Sequence, residues 1–194
     1  MANIQENYTK YRWFFTTSGK LVVGGKNSEQ NEELVNYIIK EGKEHIVMHT
    51  TSPGSPFSFI LDDISKLTEK DLEETAIFTA CFSQEWKRGK KKAKVDIFTS
   101  KQIKKEKGMK IGTFRVIGKS KSKNVELKLV LAVQNGKLRA VPFSTGHYKE
   151  RILGYIIKPG KLSKKEAILK IYHQVNNDFS LEEIEQAIPS GGFC

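Results

Sequence analysis

The chain is poor in cysteine, with only Cys81 and Cys194 among its 194 residues and no CxxC pair. Two isolated cysteines cannot build the disulfide framework of a small secreted domain, and such thiols are typical of a reducing compartment. The polar N-terminal segment has no apolar core, and no apolar run approaches the roughly 18 residues that a membrane span needs. We therefore expect a cytoplasmic protein that does not enter a membrane.

Motifs of catalysis and of cofactor binding are also missing. Neither a Walker loop nor a GxGxxG fingerprint occurs, and no histidine or acid has the spacing of a metal site. His49 precedes three hydroxyl side chains at positions 50–52, which would suit a nucleophile and its base. A histidine at a strand end that is hydrogen-bonded or touches a ligand explains the same pattern. We expect no catalytic residue, no metal and no cofactor, and thus no enzyme.

Positive charge, in contrast, is abundant and concentrated. The chain has 33 lysines and arginines against 22 acids, which gives a net charge of +11. Residues 87–123 alone hold fifteen basic residues and two acids, a net charge of +13, so the rest of the chain carries −2. Clustering of this kind predicts an acidic partner, and the candidate classes are nucleic acid, membrane headgroups and an acidic protein.

The spacing of apolar residues predicts an α+β fold. Alternating apolar residues favour a hairpin over 11–25, two short strands within 45–61, and further strands at 94–100, 110–118 and 125–133. Asn135-Gly136 suits a type I′ hairpin turn, and Pro142 indicates that the return strand lies at an edge.

Helix signals lie between and after these strands. They are Asn27 with Gln30 as its reciprocal capping partner, Thr68 with Asp71 before a small-residue helix near 69–86, Ser163, and the capping box of Ser180 and Glu183. We expect a single domain with a mostly antiparallel sheet, a central helix near 69–86 and a C-terminal helical pair.

Two basic clusters flank the strand predicted at 94–100. The first is Lys87, Arg88, Lys90, Lys91, Lys92 and Lys94, and the second is Lys101, Lys104, Lys105, Lys107 and Lys110. A strand between them would hold both on one side of the domain, as one phosphate-binding face. Lysine acts as a point charge, so we expect shape and backbone reading of structured RNA. Trp86 is expected either to stack on a base or to pack in the core.

Four stretches occur in a characteristic order. They are RWFFTTSGKLVVGGKNSEQNEELV, which contains Gly24, Gly25, Asn27, Gln30, Asn31 and Glu32; HTTSPGSP, which contains His49, Gly54, Ser55 and Pro56; the helix ending in Ser83 and Trp86; and VDIFTSKQIKKEKGMKIG, which contains Val95, Phe98, Thr99, Lys104, Lys105, Lys107, Gly108 and Gly112. In this order they resemble the NFACT-R family, the RNA-binding module of proteins that act on obstructed large ribosomal subunits. Phe98 and Glu106 depart from the tyrosine and proline usual in that family.

The resemblance covers about residues 11–118. The whole chain is similar to the freestanding prokaryotic members of the family, so we expect one domain over 1–194, with a C-terminal strand hairpin and helices over 119–194. It implies RNA binding, with tRNA, rRNA or the large ribosomal subunit as partner, in ribosome-associated quality control or translation. It adds Asn27, Gln30, Asn31 and His49 to the RNA-contacting residues, although capping explains the first three equally well. An RNA-modifying or RNA-processing enzyme around His49, and a basic adaptor for DNA or an acidic protein, are the alternatives.

Overall fold

A computed structural model gives the structure of the chain and describes residues 4–143, 151–176 and 178–194. The strands in these ranges are β1 (Arg12–Phe15), β2 (Leu21–Gly24), β3 (Ile46–Thr50), β4 (Ser58–Ile60), β5 (Lys92–Thr99), β6 (Ile103–Lys104), β7 (Arg115–Val116), β8 (Lys121–Glu126), β9 (Leu129–Gln134), β10 (Lys137–Pro142), β11 (Ile152–Ile157) and β12 (Pro159–Leu162). The α-helices there are α1 (Ile4–Asn7), α2 (Ser28–Glu41), α3 (Glu69–Cys81), α4 (Gln84–Lys87), α5 (Lys164–Gln174) and α6 (Leu181–Ala187). The predicted α+β class, with mostly antiparallel strands, is confirmed.

A six-stranded antiparallel sheet forms the centre, in the order β1-β2-β4-β3-β5-β8. Successive side chains of a strand point to opposite faces, and both faces of this sheet are apolar. Trp13 packs with Leu34 and Ile38 of α2 on one face, whereas Phe14 packs with Phe78 of α3 on the other. The sheet is therefore enclosed between α2 and α3.

Helix α3 is the central helix that the sequence predicts, but it is shorter than predicted. It begins with the expected capping box of Thr68 and Asp71 and ends at Cys81. The prediction of a single helix that continues to residue 86 is wrong. The Ser83 backbone is extended, and the Ser83 hydroxyl accepts the Glu85 N–H at 3.0 Å. Ser83 thus caps a separate short helix, α4, which contains Lys87.

The strand predicted at 125–133 is also wrong, since two strands of different sheets share it. β8 pairs with β5 in the large sheet, and β9 is the middle strand of a second sheet in the order β10-β9-β11. The break allows Leu127 and Leu129 to be buried where the chain leaves one sheet for the other. The predicted hairpin turn is confirmed, since Asn135 and Gly136 both have positive φ, and Pro142 ends the edge strand β10.

The second sheet is attached to the exposed edge of β1. The side-chain amide of Gln134 accepts the Phe15 N–H and donates to the Phe15 carbonyl, each at 2.8 Å. These bonds replace the partner strand that β1 lacks, and they protect an edge that could pair with another chain. The C-terminal part of the chain is therefore built against the N-terminal hairpin.

The remaining elements complete this C-terminal part. α5 and α6 begin at Ser163 and Ser180 with capping boxes, as predicted, and α6 packs on β10. The strand predicted at 110–118 shrinks to β7, which pairs only with β6. β11 and β12 were not predicted, because Gly154, Pro159 and Gly160 interrupt the alternating pattern. None of the helices in the described ranges is long and apolar enough to cross a membrane.

Candidate nucleic-acid interface

A cleft of about 630 Å³ lies beside the N-terminus of α2. Most of its lining comes from four segments: the turn into α2, the loop that follows β3, the α3–α4 junction, and residues 111–116. Arg12, Lys26 and Lys87 bring positive charge to the lining, and Asp96 is the one acid among the described lining residues. The cleft therefore joins the turn that carries the GG-x-N motif to the first basic cluster.

The turn into α2 depends on a glycine at position 25. A Cβ there would lie 2.4 Å from the side-chain oxygen of Asn31 and 2.6 Å from its backbone nitrogen. The absence of a side chain lets the Asn31 carboxamide reach across the turn, where its Oδ1 accepts the Phe57 N–H at 3.2 Å. Asn31 thus lines the cleft and also ties α2 to the strand β4 region.

The side chains of Asn27 and Gln30 form hydrogen bonds to backbone groups at the start of α2 and near it. The Asn27 side chain accepts the Gln30 N–H at 2.9 Å and caps α2, as predicted. The Gln30 side chain does not return to Asn27, because its oxygen accepts the Lys26 N–H at 3.0 Å while its nitrogen donates to the Lys10 carbonyl. Asn27 lines the cleft, but Gln30 does not. Both ends of the Gln30 amide are therefore occupied by the backbone.

His49 lies half-buried at the floor of the cleft. Its Nδ1 donates to the Thr50 carbonyl at 2.7 Å, and its ring stacks on Phe57 with centroids 4.7 Å apart. Burial lowers the pKa of His49 below its ordinary value, although the Thr50 carbonyl and Asp96 oppose this shift. A neutral His49 with Nδ1 protonated presents Nε2 as an acceptor, which suits a ribose or base donor.

Asp96 lies opposite His49 in the neighbouring strand β5. Its Oδ1 accepts hydrogen bonds from the hydroxyls of Thr51, at 2.8 Å, and Ser122, at 2.6 Å. These hydroxyls come from two further segments, so the carboxylate holds the floor of the cleft together. These two hydrogen bonds give the Asp96 carboxylate a structural role, since a general base would need to accept a proton from a nucleophile.

All eleven lysines and arginines of the two basic clusters are exposed, and ten of them, all except Lys94, are the predicted RNA contacts. Three of them are engaged in ion pairs: Arg88 with Glu85, Lys101 with Glu44, and Lys105 with Glu32. The other seven have no ion pair within the described chain: Lys87, Lys90, Lys91, Lys92, Lys104, Lys107 and Lys110. Cations without an ion pair are available for phosphates, so these seven contribute to the surplus charge of the basic stretch.

Lys105 has a structural role that the charge pattern did not indicate. Its ammonium lies 2.7 Å from Glu32, donates to the carbonyls of Lys110 and Thr113, and sits 4.7 Å from the centroid of the Phe114 ring. Glu32 also accepts the Gly112 N–H at 2.7 Å. Lys105 thereby fastens the loop 105–114 to α2 and shapes one wall of the cleft.

The expectation that Trp86 could stack on a base is wrong for this structure. Trp86 is fully buried, its Nε1 donates to the Gly192 carbonyl at 3.0 Å, and its ring packs on Phe193. The C-terminal residues supply these partners, so the sequence around position 86 alone gave no sign of them. Arg12 and Lys26 are the cations of the lining that the sequence analysis missed, because each stands alone outside the basic stretch.

Two comparisons bear on this geometry. The sequence profile of the NFACT protein RNA binding domain matches residues 10–118. The chain belongs to this family. The matched range contains every segment that contributes the turn, the loop and the basic clusters described above, and its departures are accommodated: Phe98 is buried, and Glu106 pairs with Arg115.

The fold is similar to a solved structure, the C-terminal part of the fibronectin/fibrinogen-binding protein from Streptococcus suis. The TM-score is 0.52 at 25% identity, over 59% of this chain and 44% of that chain. The present chain therefore corresponds to less than half of that structure. No curated protein matches the chain.

Proposed function

We propose that this NFACT-R family member binds structured RNA, either tRNA, rRNA or a ribosomal complex, along the cleft and its lysine-bearing rim. The observation that carries the proposal is the imbalance of charge: seven exposed lysines of the two basic clusters have no ion pair within the described chain, and the described lining of the cleft, to which Lys87 belongs, has three cations against one acid. Phosphate contacts supply most of the sequence-independent affinity for nucleic acid. A cytoplasmic role in translation or in ribosome-associated quality control would fit such a partner.

Binding rather than catalysis is the function that the cleft supports. Asp96 already accepts two hydroxyl groups, and His49 Nδ1 is committed to a backbone carbonyl. His49 has a free acceptor at Nε2 and an orienting partner in the Thr50 carbonyl, but no nucleophilic side chain in the described ranges is hydrogen-bonded to Nε2, and a base needs such a group or a substrate proton within reach. His49 would act as a contact to RNA. The alternative of an RNA-processing enzyme predicts cleavage or modification of bound RNA that His49→Gln abolishes.

Crosslinking in cells followed by sequencing of the bound RNA tests which partner is used. Recovery of one tRNA class or of rRNA would support the proposal and identify the partner. Recovery of no RNA would contradict the proposal and favour the basic adaptor instead. Unchanged RNA after incubation with the purified protein would argue against the enzyme.

Salt titration measures the electrostatic part of binding. If all seven unpaired lysines contact phosphates, log Kd against log salt should have a slope of magnitude about 5 to 6, from about 0.7 to 0.9 per contact. A slope near zero for tRNA and duplex RNA would remove the phosphate-binding account.

Two triple variants then locate the surface. Replacing Lys104, Lys107 and Lys110 by alanine should reduce the slope by about 2 to 3 and weaken different RNAs to a similar extent. The control replaces Lys40, Lys66 and Lys165, which are exposed and lie outside the basic stretch 87–123. Equal losses in both variants would show that general charge, and not this rim, governs binding.

A further inference from the structure

A second group of cations lies where the family-matched part of the chain meets the C-terminal part. It is defined here as the junction cluster and consists of Arg12 of β1, Lys26 of the turn into α2, Lys87 of α4, Arg139 of β10 and Lys164 of α5. The attachment of the second sheet to β1 through Gln134 brings these five elements together. Arg139 and Lys164 lie outside the matched range 10–118.

Arg139 is the most unusual member of the junction cluster. Its side chain is buried, with the residue 9% exposed, and its Nε has no hydrogen-bond partner within the described chain. The guanidinium lies against the Trp13 ring at 4.7 Å. Arg12 is placed in a similar way, with its guanidinium 4.7 Å from the centroid of the Phe82 ring. Aromatic faces thus hold both guanidinium groups.

Carboxylates that would normally neutralise buried arginines are missing here. Among the described residues, no acid forms an ion pair with Arg12, Lys26, Lys87 or Arg139. Lys164 donates to the Glu185 carbonyl at 2.9 Å, and the Glu185 carboxylate is the nearby acid that acts on it. A buried charge in a protein is ordinarily paired, so the buried and unpaired Arg139, with the half-buried Arg12 in the same cluster, indicates a missing anion.

The pKa values of these cations agree with their burial and with their positions close to one another. Burial lowers the pKa of Arg139 to about 10, with a further contribution from Arg12, and burial also lowers the pKa of Arg12 to about 10. The pKa of Lys26 is lowered by burial first and then by Arg139 and Arg12. Arg12, Lys26 and Arg139 therefore lie within electrostatic range of one another, and they repel in the absence of a ligand.

We propose that Arg12, Lys26 and Arg139, supported by Lys87 and Lys164, form a binding site for one phosphate group. Guanidinium groups suit this ligand, because their planar fork donates two parallel hydrogen bonds to phosphate oxygens. Arg12, Lys26 and Lys87 also line the cleft, which gives the anion a path to the cluster. Since the cleft is the proposed RNA path, the phosphate could belong to RNA, and that part rests on the proposed function. A small free phosphate compound is the other source.

Thermal unfolding with inorganic phosphate, against chloride at equal ionic strength, tests the site itself. Phosphate should raise the Tm of the parent protein in a saturable manner. Arg139→Met should bind phosphate at least tenfold more weakly. In chloride its Tm should equal or exceed that of the parent, because the substitution relieves repulsion. If Arg139→Met lowers the Tm equally in both salts, Arg139 is only a packing residue and the proposal fails.

A second variant guards against a folding defect in the first. Lys26 is exposed, so Lys26→Gln should fold as the parent does and should bind phosphate several-fold more weakly. The Lys104, Lys107 and Lys110 triple variant should retain the parent response to phosphate. An identical phosphate response in the parent, Lys26→Gln and Arg139→Met proteins would also overturn the proposal, since general exclusion of phosphate from protein surfaces acts on all three alike.

RNA binding by the same variants separates the two sources. If RNA supplies the phosphate, Lys26→Gln and Arg139→Met should weaken RNA binding, and inorganic phosphate should compete with RNA for the parent protein. If phosphate binds but RNA does not, the proposed function fails while the site stands as one for a free phosphate compound. If RNA binds and phosphate has no specific effect on any variant, the site fails while the proposed function stands.

Discussion

Lys105 provides a decisive test, because the charge pattern and the tertiary structure assign it different roles. The charge pattern places it among the RNA contacts, whereas in the structure it fastens the loop 105–114 to Glu32. Replacing it by alanine removes a partly exposed ion pair, worth about 0.2–1 kcal/mol. It also removes a contact with Phe114 worth about 0.5–1 kcal/mol. With the two carbonyl acceptors that lose their donor, we expect about 2 kcal/mol in total.

For a chain of this size, a loss of about 2 kcal/mol corresponds to a decrease in Tm of about 4–8 °C. Thermal and urea unfolding measure it, and hydrogen exchange at the Gly112 N–H reports whether the loop loosens. The matched control is Lys107→Ala, because Lys107 is exposed and unpaired in the described chain. The control should keep its Tm within about 2 °C, as surface substitutions usually cost under about 0.5 kcal/mol, and should lose RNA affinity.

The result that refutes this reasoning is specific. Lys105→Ala could instead melt within about 1 °C of the parent and lose as much RNA affinity as Lys107→Ala. In that case Lys105 is an RNA contact and does not stabilise the loop. A double-mutant cycle with Glu32→Ala should give a coupling free energy of about 0.5 kcal/mol or more for groups in direct contact. Absence of coupling would also contradict the assigned pair.

Glu32 makes the same contact sensitive to acid. Burial alone would raise the pKa of Glu32, but Lys105 and the Gly112 N–H bring it below its ordinary value of 4.5. A carboxyl whose pKa is lower in the folded state contributes stability that is present above its unfolded pKa. The contribution should therefore be constant at neutral pH and be lost as the pH falls below about 4.5, and Lys105→Ala should flatten this part of the pH profile.

Four other substitutions, at three positions, test the cleft and its surroundings. Trp86→Phe removes the hydrogen bond to Gly192 and should cost about 1 kcal/mol in urea unfolding, with RNA affinity unchanged; a selective loss of RNA affinity would restore its stacking role. Gly25→Ala should cost about 1–3 kcal/mol by overpacking against Asn31, and an unchanged Tm would contradict the observed turn. Asn31→Ala leaves the Phe57 N–H without its acceptor and should cost about 1–3 kcal/mol of stability. Asn31→Asp keeps an acceptor, so it should preserve stability but weaken RNA binding by charge repulsion. Equal stability of the two variants would contradict the hydrogen bond from Phe57.

Local signals in the sequence determined much of the secondary structure. The capping residues Asn27, Thr68, Ser163 and Ser180 all begin helices, and Asn135-Gly136 forms its hairpin turn. These features depend on hydrogen bonds and backbone angles within a few residues, so a short window of sequence contains all their causes. The concentration of positive charge in 87–123 is likewise a property of the sequence alone.

Tertiary structure decided which of those residues are available to a ligand. Trp86 is buried by Gly192 and Phe193, and Lys105 is engaged by Glu32, both through contacts distant in sequence. The strand predicted at 125–133 divides between two sheets, because burial of Leu127 and Leu129 outweighs a continuous alternating pattern. That division attaches β10 to the N-terminal hairpin. The attachment brings Arg139 of the junction cluster within electrostatic range of Arg12 and Lys26, and such distances depend on the packing of the whole chain.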